Sequence, residues 1–481
     1  MLCIAVAPES RRLGKVDLFN AAPQCDVIEF RLDRLGKEPD LKEMMEGIPK
    51  PILISCRRKE DGGEWDGTEE ERLIQLRTAI VAGPAYIELE LDIADKIPRF
   101  GQTKRVVSVT DTKRPLRDLE PSIEEAIAAK ADVVKFTGPT PTLDAAWPLL
   151  ATVTRKRQIP VVGVGLGQQG VMFSLLAQKY GAPWTYAALE KGLEAYPGQA
   201  TVTELEEVYR WREINPQTKF VGVAGFGPTE TSLLNVLNGA FASQKLNVRC
   251  LPIEIGLSDK IRQMLDTLHM NVLICNPQLS ERALNLAENI EDSARQSQYA
   301  DLLVKQADGW HAYNTVWKSV LRVLERALGA KTPEDRPLDR RNVFIIGSGG
   351  MARSVALGAQ KRKGMLSVAA ADDNEARQLA QMTGARFIPL ANMYDTLCDV
   401  VILAEAMPLG IGGGPGVKLN PSFLREHMFV TDLSHLTDES SLLAEARARG
   451  CKIVDPGEIF SDYVATTFKA ITGKEFAAGS E

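Results

Sequence analysis

Eight short apolar runs, each followed by a helix-like stretch, recur over the first 214 residues, and no other feature of this 481-residue chain restricts its fold so strongly. The runs read LCIAVA (2–7), DVIEF (26–30), PILISC (51–56), AYIELEL (85–91), RVVSV (105–109), DVVKF (132–136), PVVGV (160–164) and WTYA (184–187). Amphipathic segments fall at 68–82, 116–130, 141–156 and 168–180, with a last helix near 203–213. Strands that alternate with helices pair in parallel, because each helix returns the chain to the end of the sheet from which it left. Eight such units predict a closed (β/α)8 barrel.

Chemistry in a barrel of this kind sits at the carboxyl ends of the strands. Polar residues gather there. Glu29, Arg31 and Asp33 end the second run on one side of the strand, Arg57 and Arg58 follow the third, Glu88 and Glu90 lie in the fourth, and Thr110 follows the fifth. Lys135 stands inside the sixth, among Val133, Val134 and Phe136, where a strand covered on both faces calls for an apolar residue. Such a lysine either snorkels to the strand end or is desolvated, which lowers its pKa and frees a nucleophilic amine. The cluster reads either as an anion-binding site around Lys135 or as an ion-pair network at the barrel mouth.

A second pattern begins near Asn215. KFVGVAG (219–225) leads through GPTETS to a helix over Leu233–Ser243; strands near 247–254 and 271–275 follow, and Asp308-Gly309 turns a hairpin. After the Pro-rich charged linker 330–340, NVFIIGSGGMARS reads as strand, glycine turn and helix, with Gly347, Gly349 and Gly350. Glycines there let backbone approach a pyrophosphate at a helix amino terminus; they also serve plain packing. The further strands LSVAAADD, DVVILA and MFVTDL favour a Rossmann-type domain. Asp372 or Asp373 lies where an acid holds ribose hydroxyls, which favours NAD over NADP. PLGIGGGPG (408–416) is either a loop over the cofactor or a solvated loop, and Cys275, His311 and His435 are either recruited for chemistry or structural.

Composition removes several classes of function. A net charge of −6 offers no basic surplus for nucleic acid or an anionic membrane. Seven scattered cysteines without C-x-x-C spacing argue against disulfides and zinc, so no metal is expected. MLCIAVAPES lacks a signal-peptide pattern and no apolar stretch reaches spanning length, so a cytoplasmic protein is expected.

EFRLD (29–33), SCRRKEDGG (55–63), IELEL (87–91), ADVVK (131–135) and YPGQ (196–199) resemble, in order, the motifs of type I 3-dehydroquinate dehydratase. The resemblance implies Lys135 as Schiff-base former, Glu29, Arg31 and Arg57 as substrate ligands, and Gln199 as a ligand on the closing loop. An iminium acidifies the neighbouring carbon and makes loss of water feasible. The family's acid–base histidine is replaced by Thr110 in SVTD, so Glu90, which orients that histidine in the family, becomes a candidate base. The family's carboxylate-gripping arginine aligns with Ser174 and its loop serine with Ala195.

Residues 215–330 resemble the substrate domain of shikimate dehydrogenase, implying Thr231, Asn238 and Asn314 as substrate ligands. The positions of that family's catalytic lysine and aspartate hold Pro277 and Val316. His435 stands in place of a tyrosine, and the family uses NADP. Nearly the entire chain thus resembles a bifunctional shikimate-pathway enzyme of aromatic amino acid biosynthesis, a lyase and an oxidoreductase. The expected architecture is α/β: a TIM barrel (1–214), a substrate domain (215–330) and a Rossmann domain (338–481), acting on a small anionic cyclic substrate with NAD or NADP. A Schiff-base enzyme for another anionic ketone, and a non-catalytic small-molecule or dinucleotide binder, are the alternatives.

Overall fold

In the computed structural model, which describes residues 1–35, 39–410 and 417–476, the eight apolar runs are eight strands. They are β1 (Leu2–Val6), β2 (Val27–Arg31), β3 (Ile52–Ser55), β4 (Tyr86–Glu90), β5 (Lys104–Thr110), β6 (Val133–Pro139), β7 (Val161–Leu166) and β8 (Thr185–Ala187). Bonded neighbours are parallel in the order β7-β6-β5-β4-β3-β2-β1-β8, and β7 and β8 meet at the seam. The amino-terminal half of the interior is filled by Val27, Leu53, Val106, Val133, Val162 and Trp184, whose ring meets Tyr86 edge-on at 5.2 Å. Every second residue points inward, so continuing each strand past this apolar plug brings the polar set onto the same axis.

Helix starts follow local chemistry. Thr68 and Glu71 form a capping box ahead of the helix Glu69–Val81. The continuous helix expected near 203–213 does not form: a π-turn over Glu204–Val208 and a 3-10 turn over Trp211–Glu213 are split by Arg210 at φ 46°. Burying Trp211, whose indole donates to the Ser174 carbonyl at 3.0 Å, outweighs helix continuity there.

Compactness divides the described chain into two units, Met1–Phe220 with Lys245–Leu268, and Val221–Gln244 with His269–Glu481. Further strands are β9 (Lys219–Ala224), β10 (Val248–Ile253, grouped with the first unit), β11 (Met270–Ile274), β12 (Asn289–Ile290), β13 (Leu302–Gln306) and β14 (Gly309–Tyr313). In the second unit β9, β11, β13, β14 and β12 run side by side. The hairpin register pairs Gln306 with Gly309, which makes Ala307 and Asp308 the turn.

The remaining sheet holds β15 (Asn342–Ile346), β16 (Met365–Ala369), β17 (Arg386–Phe387), β18 (Val400–Leu403), β19 (Phe429–Asp432) and β20 (Lys452–Ile453). All pairs are parallel in the order β17-β16-β15-β18-β19-β20. That is the doubly wound order, with its switch point between β15 and β18, where ligands of such sheets bind. Apolar clusters cover both faces. All seven cysteines are buried and free. No helix among the described residues is long and apolar enough to cross a membrane. Residues 411–416 of the glycine-rich run lie outside the described residues.

Candidate active site

Lys135 is 1% exposed, so snorkelling is ruled out. Its Nζ donates to Glu88 Oε2 at 2.8 Å, lies 3.6 Å from Glu29 Oε2, and sits over the Tyr186 ring at 4.6 Å from the centroid. A buried ammonium costs several kcal/mol unless it is paired and bonded, and two carboxylates with an aromatic face supply that pairing. Glu88 and Glu29 reach it because β4, β2 and β6 present these positions to the barrel axis.

Glu29 anchors the rest of the cluster. Its Oε1 accepts from Ser55 Oγ at 2.7 Å and from Arg57 Nη2. Burial opposes its charge, yet Arg57, Lys135, Arg31 and the Ser55 hydroxyl together hold the carboxyl well below the usual range. Arg57 also approaches Glu88 at 3.5 Å. Arg31 turns to Asp33, bonding its two oxygens at 3.2 and 2.5 Å, and reaches the Gly62 carbonyl at 3.2 Å.

Two buried cations, Lys135 and Arg31, and the half-buried Arg57 therefore face three buried carboxylates. Four buried polar atoms around them make no hydrogen bond among the described residues: Glu29 Oε2, Arg57 Nε, Thr137 Oγ1 and Tyr186 Oη. Each would cost about 1–3 kcal/mol if left unbonded. Together with the amine they offer an acceptor and donors, which suits a ligand carrying hydroxyl, carbonyl and carboxylate groups.

Glu90 is placed differently. Its two oxygens accept from Arg72 Nη1 at 2.9 and 3.0 Å, and burial pushes its carboxyl up to about 7 against the pull of Arg72. A fully buried arginine from the helix Glu69–Val81 thus holds Glu90. Glu90, Ser108 and Thr110 line a cavity of about 510 Å³ with Arg58, Asp61 and Asp92, and Lys135 is not in its wall. Gln199 is buried, with Oε1 accepting from Ala195 N at 2.7 Å inside its own loop. Gly198, at φ 81°, lets this loop press on the backbone of Gln168, which opens the 3-10 turn between β7 and its helix. Ser174 donates to the Tyr186 carbonyl at 3.4 Å.

In the second unit, Thr231 is exposed and Asn238 buried on the helix Pro228–Ser243. Asn314 spends both amide hydrogens internally, donating to Ser297 Oγ at 2.9 Å and Ser354 Oγ at 2.7 Å, with Oδ1 unbonded among the described residues. Pro277 opens the helix Pro277–Asn285, and Val316 opens Val316–Ala327 with its amide on Asp301 at 2.6 Å. His311 pairs with Asp308 across the hairpin turn at 2.7 Å, Cys275 is buried with its thiol pushed up by desolvation, and His435 is exposed.

The glycine turn follows β15 and opens the helix Gly350–Lys361, with Gly347 at φ 131°. Its amides already hold an anion. Ser348 N donates to Glu405 Oε1 at 2.9 Å and Gly349 N donates to the same oxygen, while the Ser348 hydroxyl donates to Glu375 Oε2 at 2.6 Å. A Cβ at Gly347 or Gly349 would meet Glu405, and one at Gly350 would run into the Tyr299 ring. Asp372 caps the helix Asp373–Thr383 through Oδ1, 2.7 Å from Asn374 N; Asp373 is exposed in the first turn.

Several of these groups were open to sequence reasoning and were not singled out as site residues. Arg72, Leu76, Ala79 and Ile80 recur at helical spacing, so Arg72 falls on a buried stripe. Glu88 shares the inward face of β4 with Glu90. Glu405 follows a fully buried strand at the switch point. For Tyr186 and Thr137 the period-two pattern marks the inward face but gives no sign of unbonded hydroxyls.

Residues 2–216 match the family model described as Type I 3-dehydroquinase. The chain is 30% identical over 203 residues to a 3-dehydroquinate dehydratase of Methanosarcina mazei, covering 38% of this chain and 84% of that protein. Over 472 residues, 93% of this chain and 78% of the relative, it is 26% identical to the chloroplastic bifunctional 3-dehydroquinate dehydratase/shikimate dehydrogenase of Arabidopsis thaliana. A solved shikimate 5-dehydrogenase of Thermus thermophilus, in complex with NADP(H) and shikimate, aligns with 55% of this chain and 96% of its own at 18% identity and a TM-score of 0.46.

Proposed function

Because the chain belongs to the type I 3-dehydroquinate dehydratase family, we propose that its barrel removes water from a small anionic cyclic ketone, 3-dehydroquinate, through an imine on Lys135. Homology to the bifunctional dehydratase/shikimate dehydrogenase runs along nearly the whole chain. The observation that carries the barrel reading is the buried Lys135 hydrogen-bonded to Glu88 at 2.8 Å, in an interior where four buried polar atoms make no hydrogen bond among the described residues.

Glu88 is in place to take the proton that Lys135 must lose before it attacks the ketone carbon. The C–N bond forms, the carbonyl oxygen leaves as water, and the iminium withdraws electrons from the adjacent carbon. A carboxylate beside the amine then accepts the proton of that carbon, its C–H pair becomes the new double bond, and the β-hydroxyl departs with a returned proton as water. Hydrolysis of the imine frees Lys135. Arg57 offers Nε to the substrate carboxylate and Glu29 offers Oε2 to a hydroxyl. Thr110 cannot move protons near neutral pH, so turnover falls short of a histidine-bearing site by about two to four powers of ten.

For the second unit the cofactor class is a nicotinamide dinucleotide. The turn from Gly347 to Gly350 would hold the pyrophosphate, and the carboxylate already bonded to its amides is the sign that they are aimed at an anion. Asp372 and Asp373 would face the ribose, which favours NAD where the dehydrogenase family uses NADP. A bound nicotinamide supplies hydride exchange. Neither Pro277 nor Val316 can carry the accompanying proton, so dinucleotide binding outlasts dehydrogenase turnover in this unit.

Incubation with 3-dehydroquinate and borohydride, then intact mass and peptide mapping, tests the barrel. A reduced adduct on Lys135, absent from Lys135→Met, is expected. No adduct with dehydroquinate or with a panel of ketoacids would refute imine chemistry; an adduct with another ketone alone would mark a changed substrate.

A further inference from the structure

We propose that Glu405 is a built-in competitor for the pyrophosphate seat of the glycine turn, setting how tightly the second unit can hold any dinucleotide. The proposal rests on reading that unit as a dinucleotide-binding one. Parallel pairing of β15 with β18 places the two loops that leave their carboxyl ends side by side at the switch point of the sheet. One loop is the glycine turn; the other begins at Ala404 and carries Glu405.

The amides of Ser348 and Gly349 are the donors a pyrophosphate would need, and both go to Glu405 Oε1. Would-be Cβ atoms at Gly347 and Gly349 lie against the same side chain, so the space that glycines open over such a turn is filled by a carboxylate of the protein itself. A further donor of the turn, the Ser348 hydroxyl, is held by Glu375. A pyrophosphate must therefore displace one carboxylate while a second stays close by. Charge-assisted bonds to amides are about twice as strong as neutral ones, and the displaced anion would remain near the incoming one. Glu405 is half-buried in a loop beyond the strand, which leaves it free to turn outward when displaced.

The test compares full-length wild type, Glu405→Ala and Glu405→Gln, with Glu426→Gln as an exposed control, for binding of NAD, NADP and ADP-ribose by calorimetry. Glu405→Ala is expected to bind at least one of them about tenfold tighter than wild type, with Glu405→Gln in between. Thermal melting supplies a second readout: loss of the carboxylate lowers the Tm, and millimolar inorganic pyrophosphate restores it in Glu405→Ala far more than in wild type. Should wild type bind a dinucleotide and Glu405→Ala bind it no tighter, the competitor role is overturned and the dinucleotide reading stands. Should none of the variants bind any probe, with pyrophosphate leaving every Tm unmoved, both fall. Glu405→Gln, which keeps the side-chain volume, covers the case in which Glu405→Ala does not fold.

Discussion

Replacing Lys135 by methionine removes the amine and leaves Glu29 and Glu88, 0% and 5% exposed, facing each other without it. Removing one partner of a buried ion pair costs about 3–5 kcal/mol. Arg57, bonded to Glu29 and 3.5 Å from Glu88, keeps part of the compensation and sets the expectation near the lower end, about 3 kcal/mol. Glu88→Gln alone keeps an acceptor beside Lys135, and Glu29 still stands 3.6 Å from the amine, so about 1–2 kcal/mol is expected. The double variant holds no unpaired charge in that pair. Its loss should fall short of the sum of the singles by about 2 kcal/mol, within the range measured for close charge pairs.

Two compact units make whole-chain denaturation a poor two-state experiment. Hydrogen exchange read by mass spectrometry on peptides covering β4 and β6 reports the local opening free energy instead. Additivity within about 0.5 kcal/mol would refute the coupling and with it the claim that Glu88 is the partner of the amine.

Two further perturbations test the packing and electrostatics around these sites. Burial raises the Glu90 carboxyl from 4.5 to about 7, so the folded chain keeps a proton that the unfolded chain has released. Stability from this group is fully present below pH 4.5 and is lost as pH rises to about 7. Relative to Glu90→Gln, wild type should therefore lose about 3 kcal/mol over that span; a Tm difference that does not move with pH would contradict it. Gly350→Ala drives a methyl into Tyr299 and should cost about 1–3 kcal/mol or more, whereas Gly239→Ala, in open space on the helix Pro228–Ser243, should stabilise by about 0.5–1 kcal/mol. Equal Tm values for the two variants would refute this contrast.

Much of the fold could be read before any coordinates. Alternation of apolar runs and amphipathic stretches marked all eight barrel strands, and the strand, glycine turn and helix at 342–354 marked the doubly wound sheet, because periodicities of two and 3.6 residues are local properties. The segment 203–213 broke the pattern, since the burial of Trp211 is decided by a helix distant in sequence. Part of the cluster was legible too: Glu29 and Lys135, inward on their strands, lie together with Arg57, while Arg31 turns to Asp33.

By itself, then, the sequence determined the classes of the two sheets, the placing of Lys135 inside an apolar strand and the absence of a histidine where Thr110 stands. Tertiary structure alone decided the pairings. It brought Glu88 to the amine across 47 residues and gave Glu90 to Arg72. It also set Glu405 on the amides of a glycine turn 57 residues earlier. Which inward carboxylate meets which cation depends on the stagger between neighbouring strands and on where a loop lands, and that geometry is fixed only when the strands have been laid side by side.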